Sequence, residues 1–169
     1  MTDSGKFILL AEDDAVVAEL VMHGLATSDP PPRVVHVRDG VDTLDFLFAR
    51  ERYAHRAPGT PAVVLLDIKM PRLDGLEVLR QIKGDDRLRA IPVVMLTSSQ
   101  DERDVRDCYQ LGANAYIVKP VEFRRFMEVL REMNTFWMRI NHPPSETTMM
   151  ATVPHEGPAH PRDDTSLEH

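Results

Sequence analysis

Asp67 ends the apolar run Ala62–Val63–Val64–Leu65–Leu66 and is followed by Ile68–Lys69–Met70–Pro71–Arg72–Leu73–Asp74–Gly75. A carboxyl at the end of a buried run is costly unless it has partners or a task. The chain offers partners. Glu12–Asp13–Asp14 follows one apolar run, Thr97 closes another and Lys119 follows a further one. Carboxylates, a hydroxyl and an ammonium at successive strand ends read as a phosphoryl-transfer site. Three converging carboxylates repel one another, and a divalent cation relieves that repulsion. Hard oxygen ligands, few and open to solvent, suit Mg2+, which keeps several waters and binds phosphoryl oxygens. Asp67 can then act as a nucleophile toward a phosphoryl donor. The cation, the Lys119 ammonium and the Thr97 hydroxyl can stabilise charge on the transferred group.

The elements that must position these groups alternate along the chain. Phe7–Ala11, Val34–Val37, Ala62–Leu66, Ile91–Leu96 and Ala115–Val118 are short apolar runs suited to strands buried on both faces. Between them lie helical patterns. Asp14 is the expected cap of the first helix, with Val17, Leu20, Val21, Gly24 and Leu25 on one face. Asp29–Pro30–Pro31–Pro32 stops it. The second helix opens at Asp39–Gly40 with Val41, Leu44, Leu47 and Phe48 inward, and a polar loop containing Pro58–Gly59 follows. The third starts near Asp74 with Leu76, Leu79 and Ile82 inward. The fourth spans Glu102 to Leu111, carries Val105, Cys108 and Leu111 on one face, and is closed by Gly112. The last runs from about Val121 to Ile140. Five β-α repeats imply an α/β fold, a five-stranded parallel sheet with helices on both faces. In such sheets ligands gather at the carboxyl ends of strands, where each polar group named above lies.

The 169 residues suit one domain and a tail. A formal net charge of -7 argues against nucleic acid and against anionic membrane surfaces as partners. A lone cysteine, Cys108, forms no internal disulfide, which points to a reducing, cytoplasmic setting. No apolar stretch approaches the roughly 18 residues of a membrane span, and no signal peptide is evident. From Asn141 the composition turns polar and proline-rich, so 141–169 is expected to be a flexible tail beside a domain at 1–140. Leu167–Glu168–His169 reads as the remnant of an expression tag. The seven histidines lack metal-ligand spacing.

Taken together, Glu12–Asp13, Asp67, Met70–Pro71 with Asp74–Gly75, Thr97, and Lys119–Pro120 resemble the receiver domain of bacterial two-component response regulators, over about Lys6 to Ile140. Thr97 and Lys119 lie 30 and 52 residues beyond Asp67, as in that family. The resemblance implies a flavodoxin-like, doubly wound sheet of strand order 2-1-3-4-5. It implies that Asp67 accepts phosphate from a sensor histidine kinase. Asp13, Asp67 and the Lys69 backbone carbonyl would bind Mg2+, with Glu12 acting through water. Thr97 and Lys119 would contact the phosphoryl group. Thr97 and Tyr116 would form the switch, and the Lys119–Pro120 bond would be cis. Lys69 and Ser99 fall where the family tunes phosphate lifetime.

Nothing after Asn141 has the look of an output domain, so the signal is expected to leave through a binding surface. On the last helix Phe123, Phe126, Met127, Leu130 and Trp137 form one face, and Val129, Met133, Phe136 and Ile140 an adjoining stripe. Phe136 to Pro144 and the long loop before the third strand resemble receivers paired with bacterial phytochrome kinases. That subgroup implies a homodimer through the fourth helix, fifth strand and last helix.

The blander readings are acids favouring a helix N-terminus for Glu12–Asp13–Asp14, turn chemistry for Thr97–Ser98–Ser99, core packing for Tyr116, and a cap for Asp74–Gly75. Two other functions compete: a phosphorylation-independent adaptor, and an aspartate-nucleophile phosphatase. The latter type carries a second aspartate two residues after the first, where this chain has Lys69.

Overall fold

The computed structural model describes residues 5–144; the expectations placed on 145–169 lie outside them. Strands β1 (Phe7–Ala11), β2 (Arg33–Val37), β3 (Val63–Leu66), β4 (Val93–Thr97) and β5 (Ala115–Val118) alternate with helices α1 (Ala15–Ala26), α2 (Gly40–Leu47), α3 (Gly75–Gly84), α4 (Glu102–Gln110) and α5 (Phe123–Thr135). All strand pairs are parallel, in the order β2-β1-β3-β4-β5. This is the expected doubly wound topology, and the order reverses between β1 and β3.

The strands read as unbroken apolar runs because both faces are covered. Leu9, Ala11, Val64 and Leu66 pack on one face with Leu44, Leu47, Leu79, Ile82 and Cys108. Ile8, Leu10, Val63 and Leu65 pack on the other with Val21, Leu25, Phe126 and Leu130. Burial of each such side chain contributes on the order of 1.5–3 kcal/mol. The same burial pushes the Cys108 thiol up to about 11, so it is a packing residue rather than a nucleophile. Capping follows expectation. Asp14, Asp39 and Asp74 each accept first-turn N–H groups of the helix they precede.

Several expectations are refined or corrected. In α2 Phe48 packs half-buried against the core as expected, but Phe46 is also inward and more deeply buried, and Asp42 and Thr43 are buried. Asp42 is neutralised by Arg52 and accepts from the Tyr53 hydroxyl at 3.1 Å, and the Thr43 hydroxyl donates to the Asp39 carbonyl at 2.7 Å. The partners of Asp42 lie in the turn after the helix, so periodicity alone misses its burial. On α5, Met133 is only 6% exposed and belongs to the core, because it lies seven residues after Phe126 and four residues span about one turn. On the other face Phe126 and Leu130 are buried, while Phe123, the first helical residue, is 56% exposed. After Thr135 the coil widens into a π-helical turn, Phe136–Ile140, closed by Asn141 N–H to the Phe136 carbonyl at 2.7 Å. Finally, the Lys119–Pro120 bond is trans; among the described residues the cis bond precedes Pro30. An X-Pro bond favours neither isomer strongly enough for sequence to decide.

Candidate functional site

Backbone hydrogen bonds carry the sheet past its last strand residues and so fix where the polar groups emerge. Glu12 N–H donates to the Val37 carbonyl at 3.1 Å, Asp67 N–H to Ala11 at 3.2 Å, and Lys119 N–H to Thr97 at 2.8 Å. Glu12, Asp13 and Asp67 thus leave the two central strands side by side. One carboxylate oxygen from each lies within 4.8 Å of the others. Glu12 is buried, Asp67 half-buried and Asp13 exposed, so the cluster opens to solvent on the Asp13 side. Three hard oxygen donors in that arrangement fit a divalent metal ion.

Lys119 reaches back across the sheet end. Its ammonium lies 2.6 Å from Glu12 Oε2 and 3.3 Å from Asp67 Oδ2. Burial raises the Glu12 carboxyl above its ordinary range, an effect that Lys119 opposes and Asp67 reinforces. One cation among three carboxylates leaves excess negative charge, which is what draws a second cation to such a place. The remaining contacts orient the acids. Asp67 Oδ1 accepts from Ile68 N–H at 2.7 Å, Glu12 Oε1 from Asp14 N–H at 3.1 Å, and the His36 ring is 2.8 Å from the Glu12 carbonyl.

Thr97 is buried at the end of β4, and its hydroxyl accepts from Ser99 N–H at 3.3 Å. No hydrogen bond joins it to Asp67 among the described residues. Tyr116 packs against the core, and its hydroxyl donates to the Ser99 carbonyl at 3.0 Å. The Ser99 hydroxyl donates to Asp104 of α4 at 2.6 Å. Ser99 therefore joins Thr97, Tyr116 and α4. Lys69 is exposed beside the acids and its ammonium has no ion pair among the described residues. Asp74 caps α3, as expected of a structural residue. The following glycine has its own reason: a Cβ on Gly75 would lie 2.0 Å from the Asp67 carbonyl oxygen.

Sequence reasoning missed two contacts that bear on the site. One is the Ser99–Asp104 hydrogen bond. The other is a forked ion pair between Arg72 and Asp39, 33 residues apart. The first is local, five residues across the β4–α4 connection; the second meets only where two β-α loops are brought together at one sheet edge.

Comparison with known proteins agrees with this geometry. A family model described as the response regulator receiver domain matches residues 8–131. The chain is 39% identical over 137 residues to the probable methanogenesis regulatory protein FilR2 of Methanothrix harundinacea, covering 81% of this chain and 86% of that protein. It is 35% identical over 133 residues to the response regulator Rcp1 of Synechocystis, covering 79% and 89%. Among solved structures, the phosphorylated cyanobacterial phytochrome response regulator RcpA aligns with a TM-score of 0.77 at 36% identity over 83% of this chain and 98% of its own. The Mn2+-bound form of Rcp1 aligns with 0.77 at 34%, over 83% and 99%. The bacteriophytochrome response regulator AtBRR aligns with 0.64 at 49%, over 77% and 93%.

Proposed function

The chain belongs to the response regulator receiver family, and from that premise we propose that Asp67 is the phosphoacceptor for the phosphohistidine of a sensor kinase. An Asp67 carboxylate oxygen attacks phosphorus, the nitrogen–phosphorus bond breaks, and the imidazole leaves with the electron pair. The observation that carries this reading is the Lys119 ammonium lodged between Glu12 and Asp67 on the closed side of the acidic cluster. It orients Asp67, and it supplies positive charge where negative charge builds on the transferred group. Thr97 is held one strand away with a hydroxyl that can turn to donate to a phosphoryl oxygen. Asp13, Asp67 and the Lys69 carbonyl would hold Mg2+, with Glu12 reached through water. Bound there, the ion neutralises carboxylate repulsion and the charge of the incoming phosphoryl oxygens. The same residues would assist both gain and loss of the group, without turnover of external substrates.

Once Thr97 moves toward the phosphoryl group, Ser99 and Tyr116 follow, and α4 is pulled through Asp104. The output surface would then be α4, β5 and α5 of a homodimer. Phe136 and Ile140, 46% and 67% exposed, together with half-buried Val129, support that surface; buried Met133 is no part of it. The likeness to Rcp1, RcpA and AtBRR supports a phytochrome-type kinase as the donor. No helix among the described residues is long and apolar enough to cross a membrane, which fits a cytoplasmic signalling protein. We take 1–140 as the receiver and 141–169 as its tail.

Incubation with acetyl phosphate and Mg2+ separates this reading from its rivals. A switch gains one labile phosphoryl group, a phosphatase releases product repeatedly, and an adaptor does neither. The free ammonium of Lys69 would shield the phosphoryl group from water, so Lys69→Ala is expected to change the phosphate lifetime. An unchanged decay rate would remove that role.

A further inference from the structure

The loop that follows Asp67 is gripped from the side by the start of α2. Arg72 sits at the centre of a tight turn closed by Leu73 N–H to the Pro71 carbonyl at 2.7 Å. Its φ is 63°, in the left-handed region that bulky side chains rarely enter. Such a conformation is strained and persists only where the surroundings over-determine it. Here the surroundings are Asp39 and Gly40. Arg72 Nε donates to Asp39 Oδ2 at 2.9 Å and Nη2 to Oδ1 at 2.8 Å, a planar fork that lysine cannot reproduce. Asp39 Oδ1 also accepts from Asp42 N–H at 2.8 Å, so the carboxylate that caps α2 is the one that holds the loop. Burial pushes the Asp39 carboxyl up, but the hydrogen bonds from Asp42 and Arg72 outweigh it and the net displacement is downward. Gly40 lets the backbones touch: a Cβ there would lie 2.1 Å from the Leu73 carbonyl oxygen. At the far end Gly75 N–H donates to the Ile68 carbonyl at 2.7 Å. Lys69 and Met70 lie between these two anchorages.

We propose that Asp39 and Arg72 are a positioning pair that fixes the 67–74 loop so that the Lys69 carbonyl and Asp67 meet a divalent cation in register. This rests on the site assignment made above. The pair touches neither cation nor phosphoryl group. Arg72 is more than half exposed, so the pair adds little to global stability. Its effect falls on ligand geometry, where loss of a supporting contact typically costs 10–100-fold in metal affinity.

The test is a Mg2+ titration of the full chain followed by backbone amide shifts, run beside urea unfolding, for Asp39→Asn, Arg72→Ala, Arg72→Lys and the double variant Asp39→Asn with Arg72→Ala. Asparagine keeps the helix cap while losing the charge. Each of Asp39→Asn and Arg72→Ala should raise half-saturating Mg2+ by about 10-fold, with little change in the urea midpoint. The double variant should be no worse than either single one, and Arg72→Lys should recover only part of the loss. If Arg72→Ala fails to fold, Asp39→Asn carries the comparison. Half-saturation within about two-fold of wild type in the folded single variants would overturn the pair, as would a wild-type chain that binds no Mg2+. Labelling with acetyl phosphate is read separately: a wild type that binds Mg2+ but takes no phosphoryl group sinks the phosphoacceptor reading, while the titration still decides the pair.

Discussion

Lys119 has to satisfy two acids of different kinds. Its side chain is only 10% exposed, and it faces Glu12, which is buried, and Asp67, which must stay ionised to react. Removing one member of a buried pair strands the other and costs about 3–5 kcal/mol. Lys119→Met is therefore expected to lose about 3 kcal/mol of metal-free stability in urea unfolding, and adding Glu12→Gln should recover most of it. The pH dependence stems from the raised Glu12 carboxyl. The folded state holds that proton more tightly than the unfolded state, so stability falls as pH rises from the unfolded glutamate range through the folded value. Lys119→Met should deepen that fall, and Glu12→Gln should abolish it. A loss that does not depend on pH would mean that Lys119 acts through packing alone.

The strands and their carboxyl ends were legible because burial on both faces demands unbroken apolar runs, and a parallel sheet delivers every run's end to one edge. Glu12, Asp13, Asp67 and Lys119 could be brought together on that ground alone. Helix faces were harder. A period fitted across Thr135 assigns Met133 to the same stripe as Phe136 and Ile140, but the π turn begins at Phe136 and rotates the residues after Thr135 out of that register. Met133 faces the core and Ile140 faces water. The two substitutions should accordingly part company. Met133→Ala is expected to cost about 2–5 kcal/mol of stability. Ile140→Glu should leave the urea midpoint nearly unchanged and shift the sedimentation coefficient toward monomer. Ile140→Glu with no effect on sedimentation would remove Ile140 from the dimer surface. A contact between loops, such as Arg72 with Asp39, was not legible at all, since nothing local ties residues that only the sheet edge brings near. Gly75 belongs to the same class. Gly75→Ala puts a methyl into the Asp67 carbonyl and should cost about 1–3 kcal/mol, with Asp67 displaced and labelling slowed. Unimpaired labelling would show that the loop yields without moving Asp67.

Taken as one body, the protein carries a charged edge and an apolar flank. The acidic cluster lies at the carboxyl end of β1 and β3, while Phe136 and Ile140 are exposed on the π-helical turn after α5. From the strand beside the cluster, Thr97, Ser99, Tyr116 and the first turn of α4 are joined by hydrogen bonds of 3.3, 3.0 and 2.6 Å. Any coupling between edge and flank needs the chemistry at Asp67 to come first. The most direct measurement is phosphotransfer from acetyl phosphate with Mg2+, read by intact mass and by mapping of the modified residue, in wild type and Asp67→Asn. One base-labile phosphoryl group is expected on Asp67 in wild type and none in Asp67→Asn, with the reaction stopped when Mg2+ is chelated. A wild type that stays unmodified, or a group that maps to another side chain, would contradict the assignment of Asp67 as phosphoacceptor.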